Sequence, residues 1–150
     1  MEIIRNSRGH YDLDEFLKKP LFAHLSTVEN DVPKDSPVWF HWEDQCIWII
    51  GTPSSDSFPG RIENHSACAV GIVDFDVKSG KVLHVGFRGH GTVEPFDAEL
   101  AKRLLRKYLG INEGSWDERF KHLGDSNILI KVVPETVVVR DQSFESSIDS

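Results

Sequence analysis

Short apolar runs separated by turn residues dominate the chain, and only one stretch carries a sustained helical stripe. Residues 21–28 (LFAHLSTV) read as a strand and Glu29-Asn30-Asp31 as a turn. Residues 34–42 follow as a strand in which Pro37 marks an edge or a bulge, because proline has no N–H for a ladder. Asp44-Gln45 is the next turn, and residues 46–52 complete a meander. Residues 57–66 predict a short helix with Pro59 near its start. Residues 67–75 (ACAVGIVDF) form a strand apolar enough to be covered on both faces.

After a loop at 76–81, residues 82–94 form a long strand whose alternation separates two faces. Val85, Phe87 and Val93 lie on the core side, with Gly89 and Gly91 between them. His84, Arg88, His90 and Thr92 lie on the other side, with Gly86, which suits either a solvated outer face or a polar ligand. Residues 97–109 are the best helix, with Leu100, Leu104, Leu105, Tyr108 and Leu109 as its stripe and Gly110 at its end. Residues 12–19 give a shorter helix capped by Asp12 and stopped by Pro20. Another short helix is expected at 115–122, with Trp116 and Phe120 inward. The last strands are 127–133 and 136–140, joined at Pro134-Glu135. Residues 1–11 read as a loose lead-in and the polar tail from Asp141 as frayed. Six or seven strands with helices between them imply a closed barrel, which removes exposed edges.

A chain of 150 residues suits one domain, with a core of about 16–140 and a polar tail at 141–150. The net charge of −7 argues against a nucleic-acid partner, since phosphate backbones need basic surface. The apolar runs are too short to span a bilayer, and the N-terminus opens no signal peptide. Cys46 and Cys68 lie in apolar runs without metal-ligand spacing, which points to buried thiols in a reducing, cytoplasmic setting.

The chemistry concentrates in IWIIGTPSSDSFPGRIENHS, residues 47–66. A strand that exits through Gly-Thr-Pro into hydroxyls and a helix start can hold a phosphate: Ser54, Ser55 and Ser57 donate, and Arg61 supplies a charged fork. The plainer alternative is a Ser-rich surface loop with Ser57 as an N-cap. No G-x-S-x-G elbow accompanies the serines, and no G-x-G-x-x-G loop is present. His84 and His90 stand about 20 Å apart along a strand, too far to share an ion. Trp39, Trp42 and Trp48 fall in two adjacent strands, where a flat ring system could rest. A flat heterocycle with a phosphate at one end accounts for the aromatic strand, the hydroxyl loop, Arg61 and His84 together.

The chain resembles the pyridoxamine 5'-phosphate oxidase-like, FMN-binding split-barrel family. The resemblance rests on LFAHLSTVENDVPKDSPVWFHWED, IWIIGTPSSDSFPGRIENHSACAVGIV, HVGFRGHGTVEPFD and ILIKVVPETVVV, in that order. It implies a mainly β fold, a six-stranded antiparallel split barrel with Greek-key character and peripheral helices. It also implies a homodimer with FMN in a groove between subunits. Carried over by position, Ser36, Pro37, Val38 and Trp39 would lie along the isoalloxazine, and Gly51 and Thr52 at its pyrimidine side or ribityl chain. Ser57 and Phe58 stand where basic phosphate contacts are common in the family. Phenylalanine cannot make that contact, so Arg61, one turn on, is the expected substitute. His84 stands where a flavin-contacting glutamine is common. The C-terminal motif with which true pyridoxamine phosphate oxidases hold the vitamin is missing, so the resemblance is to a relative of that enzyme. It implies an FMN-dependent oxidoreductase acting on a small molecule. The alternatives are a non-catalytic flavin- or haem-binding protein and an F420-dependent reductase.

Overall fold

In the computed structural model, which describes residues 1–7 and 11–148, inward-facing apolar positions alternate along one large sheet. Its strands are β1 (Glu2–Ser7), β2 (Ala23–Glu29), β3 (Val32–Val38), β4 (His41–Glu43), β5 (Cys46–Gly51), β6 (Ala67–Asp76), β7 (Lys81–Pro95) and β8 (Ile128–Asp141). The order is β3-β2-β6-β7-β8-β5-β4, with β1 pairing beside β8. Neighbours are antiparallel except β1 and β8, which run parallel. The non-sequential pairs β2–β6 and β5–β8 give the sheet its Greek-key character.

The strands foreseen by pattern form β2, β3, β5, β6, β7 and β8; β1 and β4 extend them. The barrel is split and not closed, because the end strands β3 and β4 are not hydrogen-bonded to each other. The stretch 34–42 is not one strand: Trp39 and Phe40 interrupt it, and β4 turns away to pair with β5. The β2–β3 and β4–β5 hairpins close through two-residue turns of left-handed backbone, with φ of 50° and 63° at Asn30 and Asp31 and 55° and 60° at Asp44 and Gln45. That geometry matches the twist of the flanking strands.

Strand β8 is continuous through Pro134, where two strands were expected. Its pairing with β7 shifts register between Arg88 and Gly89, so a bulge absorbs the proline's missing donor. Of the N-terminal lead-in, residues 2–7 are ordered as β1, which gains a backbone ladder on β8, while residues 8–10 lie outside the described residues. The start of the tail past Asp141 is tied back too, since the Gln142 and Phe144 N–H groups donate to the Val82 and Gly80 carbonyls; residues 149–150 lie outside the described residues. Strand β6 is covered on one face only, with Val73 and Phe75 exposed on the other.

Helix α1 (Leu13–Leu17) is capped by the Asp12 carboxylate, as its sequence predicts. Helix α2 (Phe58–Asn64) buries Phe58, Pro59 and Ile62 against the barrel core, which Phe40, Ile47, Val85, Phe87 and Val137 help fill. Helix α3 (Ala98–Leu109) buries Leu100, Ala101, Leu104 and Leu105. In place of a helix at 115–122, two separate 3₁₀ turns form at Glu113–Ser115 and Glu118–Phe120. The intervening Trp116 is buried against Leu104 and Leu105, and its indole N–H donates to the Gly110 carbonyl. This second cluster collects Trp39, Ile50, Tyr108, Phe120 and Leu123 outside the barrel. Cys46 and Cys68 are buried free thiols.

Candidate functional site

Two clefts lie near the two ends of edge strand β3. The first, about 650 Å³, opens where β3 ends and is walled by Pro37, Val38, Trp39 and Phe22 on one side. Ile50, Thr52, Ser55, Asp56 and Phe58 form its floor and far side, and Leu104, Leu105, Phe120 and Leu123 close its end. The second, about 710 Å³, lies at the β2–β3 turn and holds Ser57, Gly60, Arg61, Asn64 and His65 facing Val28–Asp31. Helix α2 serves both, with Phe58 in the first and Ser57 and Arg61 in the second.

Aromatic packing sets the first cleft. The Trp39 indole lies flat on Tyr108, with ring centroids 4.6 Å apart and planes 3° apart, and is 5.5 Å from Phe120. Tyr108 is fixed in turn: its hydroxyl donates to the Leu21 carbonyl at 2.7 Å and accepts the Phe40 N–H at 3.1 Å. One side chain of α3 thus holds the β3–β4 junction and supports Trp39. Trp42 and Trp48 lie elsewhere. Trp42 packs on Phe87, and Trp48 donates to the Glu43 carbonyl. The three tryptophans therefore do not form one platform.

Lys107 completes this support. Its ammonium donates to the Leu17 carbonyl at 3.1 Å and sits 3.6 Å from the Phe40 ring centroid. Burial pushes its pKa down to about 7, while the Phe40 face and the Leu17 carbonyl favour the charged form. Because the folded value lies below that of the unfolded chain, the unfolded chain holds the extra proton between them. Folding stability therefore rises with pH from about 7 upward. Above about pH 9 the Cys68 thiol, pushed up to about 11 by burial, offsets the gain. Urea unfolding is expected to show a rise of roughly 1–1.5 kcal/mol between pH 7 and 9, discounted for partial solvent access. Lys107→Met should flatten it. A rise of equal size in the variant would place its origin elsewhere.

The loop between β5 and α2 is spanned by its own carboxylate. Asp56 Oδ2 accepts the Thr52 N–H at 2.8 Å, and the Thr52 hydroxyl accepts from Asn127 Nδ2 at 2.9 Å. Ser57 precedes α2 without a side-chain capping bond. Gly51 lines neither cleft; a Cβ there would come within 2.8 Å of Ile128 Cδ1 and 3.2 Å of Pro59 Cγ. Arg61 crosses from α2 to the sheet: its Nε donates to the Thr27 hydroxyl at 2.7 Å and its Nη2 to the Ser36 hydroxyl at 3.4 Å. Both partners are neutral, and among the described residues no carboxylate pairs with this guanidinium. Glu29 and Asp31 stand across the same cleft.

The structure thus gathers Pro37, Val38, Trp39, Thr52 and Phe58 around one cleft and Ser57 and Arg61 around the other, with Ser36 bonded to Arg61. His84 belongs to neither cleft. Its carbonyl accepts from the Tyr11 hydroxyl at 2.8 Å, and among the described residues its buried Nδ1 has no hydrogen-bond partner. Burial, aided by the charge of Arg140, lowers the His84 pKa and so favours the neutral ring. Sequence reasoning missed Phe22, Arg119, Leu123 and Asn127. They reach the cleft through long-range packing, and the irregular turns that carry Arg119 and Leu123 follow no helical period.

No protein-family model matches the chain, and no curated protein matches it. Solved structures do. A conserved hypothetical protein of Mycobacterium tuberculosis superposes with a TM-score of 0.76 at 11% identity, over 97% of each chain. A pyridoxamine 5'-phosphate oxidase-like protein of Listeria innocua gives 0.58 at 17% identity, over 79% of this chain and 86% of that one. An F420 reductase gives 0.61 at 24% identity, over 85% and 96%. FAD-binding proteins and the haem storage protein of Vibrio cholerae are similar as well. At these identities the likeness is one of fold: the chain has the split-barrel architecture of the pyridoxamine 5'-phosphate oxidase-like proteins.

Proposed function

We propose that the protein binds FMN along β3 as a homodimer and moves electrons or a hydride between a reduced donor and a small acceptor. The observation that carries this reading is the arrangement around β3. An aromatic-walled cleft lies at one end of the strand, and a guanidinium with only neutral partners reaches its middle at Ser36. That pairing suits a flat ring with an anionic tail. Arg61 is already oriented by Thr27 and Ser36, so gripping a phosphate would cost little further side-chain ordering. Glu29 and Asp31 across the same cleft favour a short anionic tail over the longer acidic tail of F420. Among the described residues no histidine lines the aromatic-walled cleft, which favours flavin over haem. Bound flavin would supply the redox chemistry, and the chain's residues would position it and exclude water. The dimer is proposed because the aromatic-walled cleft is open to solvent on one chain and His84 lies outside it. A second subunit would complete the enclosure.

The test is a titration of purified protein with FMN and riboflavin, alongside light scattering. Arg61→Ala should weaken FMN binding by about 1.5–3 kcal/mol, the value of a lost charge-assisted hydrogen bond, and leave riboflavin affinity unchanged. Equal FMN affinity in native and variant protein would remove the phosphate from Arg61. Bleaching of bound flavin by NADH or NADPH without oxygen separates an enzyme from a carrier.

A further inference from the structure

The aromatic-walled cleft contains a cation that the cofactor reading leaves unused. Arg119 lines it, carried on the second 3₁₀ turn, where its own N–H donates to the Asp117 carboxylate. Its guanidinium carbon lies 4.6 Å from the Phe120 ring centroid, and Phe120 in turn lies 5.5 Å from Trp39. Arg119, Phe120, Trp39 and Tyr108 thus form a chain of ring and guanidinium contacts along the cleft wall. Among the described residues Arg119 has no ion pair and no side-chain hydrogen bond. Other arginines of the same surface are engaged: Arg103 grips Glu43 through two nitrogens, and Arg106 pairs with Glu113. The carboxylate lining the cleft, Asp56, is committed to the Thr52 N–H.

A guanidinium lying along an aromatic ring keeps its in-plane N–H donors free for an oxygen anion. Around Arg119 the lining is mostly apolar and aromatic, with Phe22, Pro37, Val38, Ile50, Leu104 and Phe120, and its other polar side chains are Thr52, Ser55, Asp56 and Asn127. From this geometry we infer that Arg119 is a substrate-binding residue, and that the small molecule taken into this cleft is a planar acid whose carboxylate or phosphate sits against Arg119. This deepens the proposal of a flavin along β3, since a ring resting against Pro37 to Trp39 would leave the Arg119 end for the second reactant. It assigns Arg61 and Arg119 to different anions.

The experiment compares two rings of one shape, benzoate and benzamide, by quenching of tryptophan fluorescence and by calorimetry, with and without saturating FMN. The native protein should prefer benzoate by about tenfold, the size of one partly exposed charge-assisted contact. Arg119→Gln should bring the ratio to about one, and Arg119→Lys should restore part of it. A native ratio near one, no binding of either ring at millimolar concentration, or a preference that survives Arg119→Gln would each overturn the assignment. If Arg119→Gln instead weakens FMN as Arg61→Ala is expected to, Arg119 holds the cofactor and the substrate assignment fails. Failure of the native protein to take FMN, with the benzoate preference intact, would overturn the flavin proposal and leave the acid site standing.

Discussion

Gly89→Ala is expected to destabilise the protein by about 3 kcal/mol or more, at the upper end of what overpacking costs. Gly89 sits at the bulge where β7 passes Pro134 of β8. A Cβ there would fall far inside contact distance of the Val133 carbonyl and 2.9 Å from Pro134 Cα. Both obstacles are backbone, so no side chain can rotate away. Relief would have to come from breaking the β7–β8 register, the longest pairing in the sheet. Gly60→Ala makes the control. Nothing lies within 4 Å of a Cβ at that helical position, and alanine there should be neutral or gain up to about 1 kcal/mol. Urea midpoints of the two variants check the pair. Equal stabilities would mean that the bulge opens at little cost.

Phe40→Ala carries the other large effect, about 3–5 kcal/mol. The ring is fully buried between the two clusters, and truncation leaves a cavity at the β3–β4 junction. The loss goes further than volume, because the Lys107 ammonium, in a desolvated place, would keep the Leu17 carbonyl but lose this ring as its second partner. The Phe40 main-chain N–H, which alanine keeps, donates to the Tyr108 hydroxyl that supports Trp39, so movement of the junction into the gap would displace that anchor. Tryptophan emission should therefore shift to the red as the Trp39–Tyr108 stack loosens. A cost below about 1.5 kcal/mol with unchanged emission would show that α3 repacks over the gap.

The alternation of Val85, Phe87, Gly89 and Gly91 against His84, Arg88, His90 and Thr92 was legible because period two is local, and the burial of β7 follows it. The turns at Asn30-Asp31 and Asp44-Gln45 were legible for the same reason. Strand β1 was not, since its polar residues show no alternation and its ladder depends on an edge of β8 more than a hundred residues away. In the site, composition marked out Arg61 and Trp39. That Arg61 rests on Thr27 and Ser36, and that α3 and the 3₁₀ turns bring Tyr108, Phe120 and Arg119 to Trp39, is fixed by contacts between distant elements. The Ser-rich loop looked like an open anion cradle. Asp56, one more small polar residue in sequence, supplies the carboxylate internally at Thr52.

The outer flank of β3 has a consequence for crowding. Pro33, Asp35 and Pro37 share one parity, opposite Val28, Ser26 and His24 of β2. Prolines have no hydrogen to give the β2 ladder, so this parity is the one turned outward. Of its three outward nitrogens only that of Asp35 can donate. A foreign strand arriving there would meet carbonyls and a carboxylate and could not zip along the edge. The flank is therefore barred to main-chain guests and to fibril growth, yet it stays accessible to a small molecule that needs only side chains to hold it.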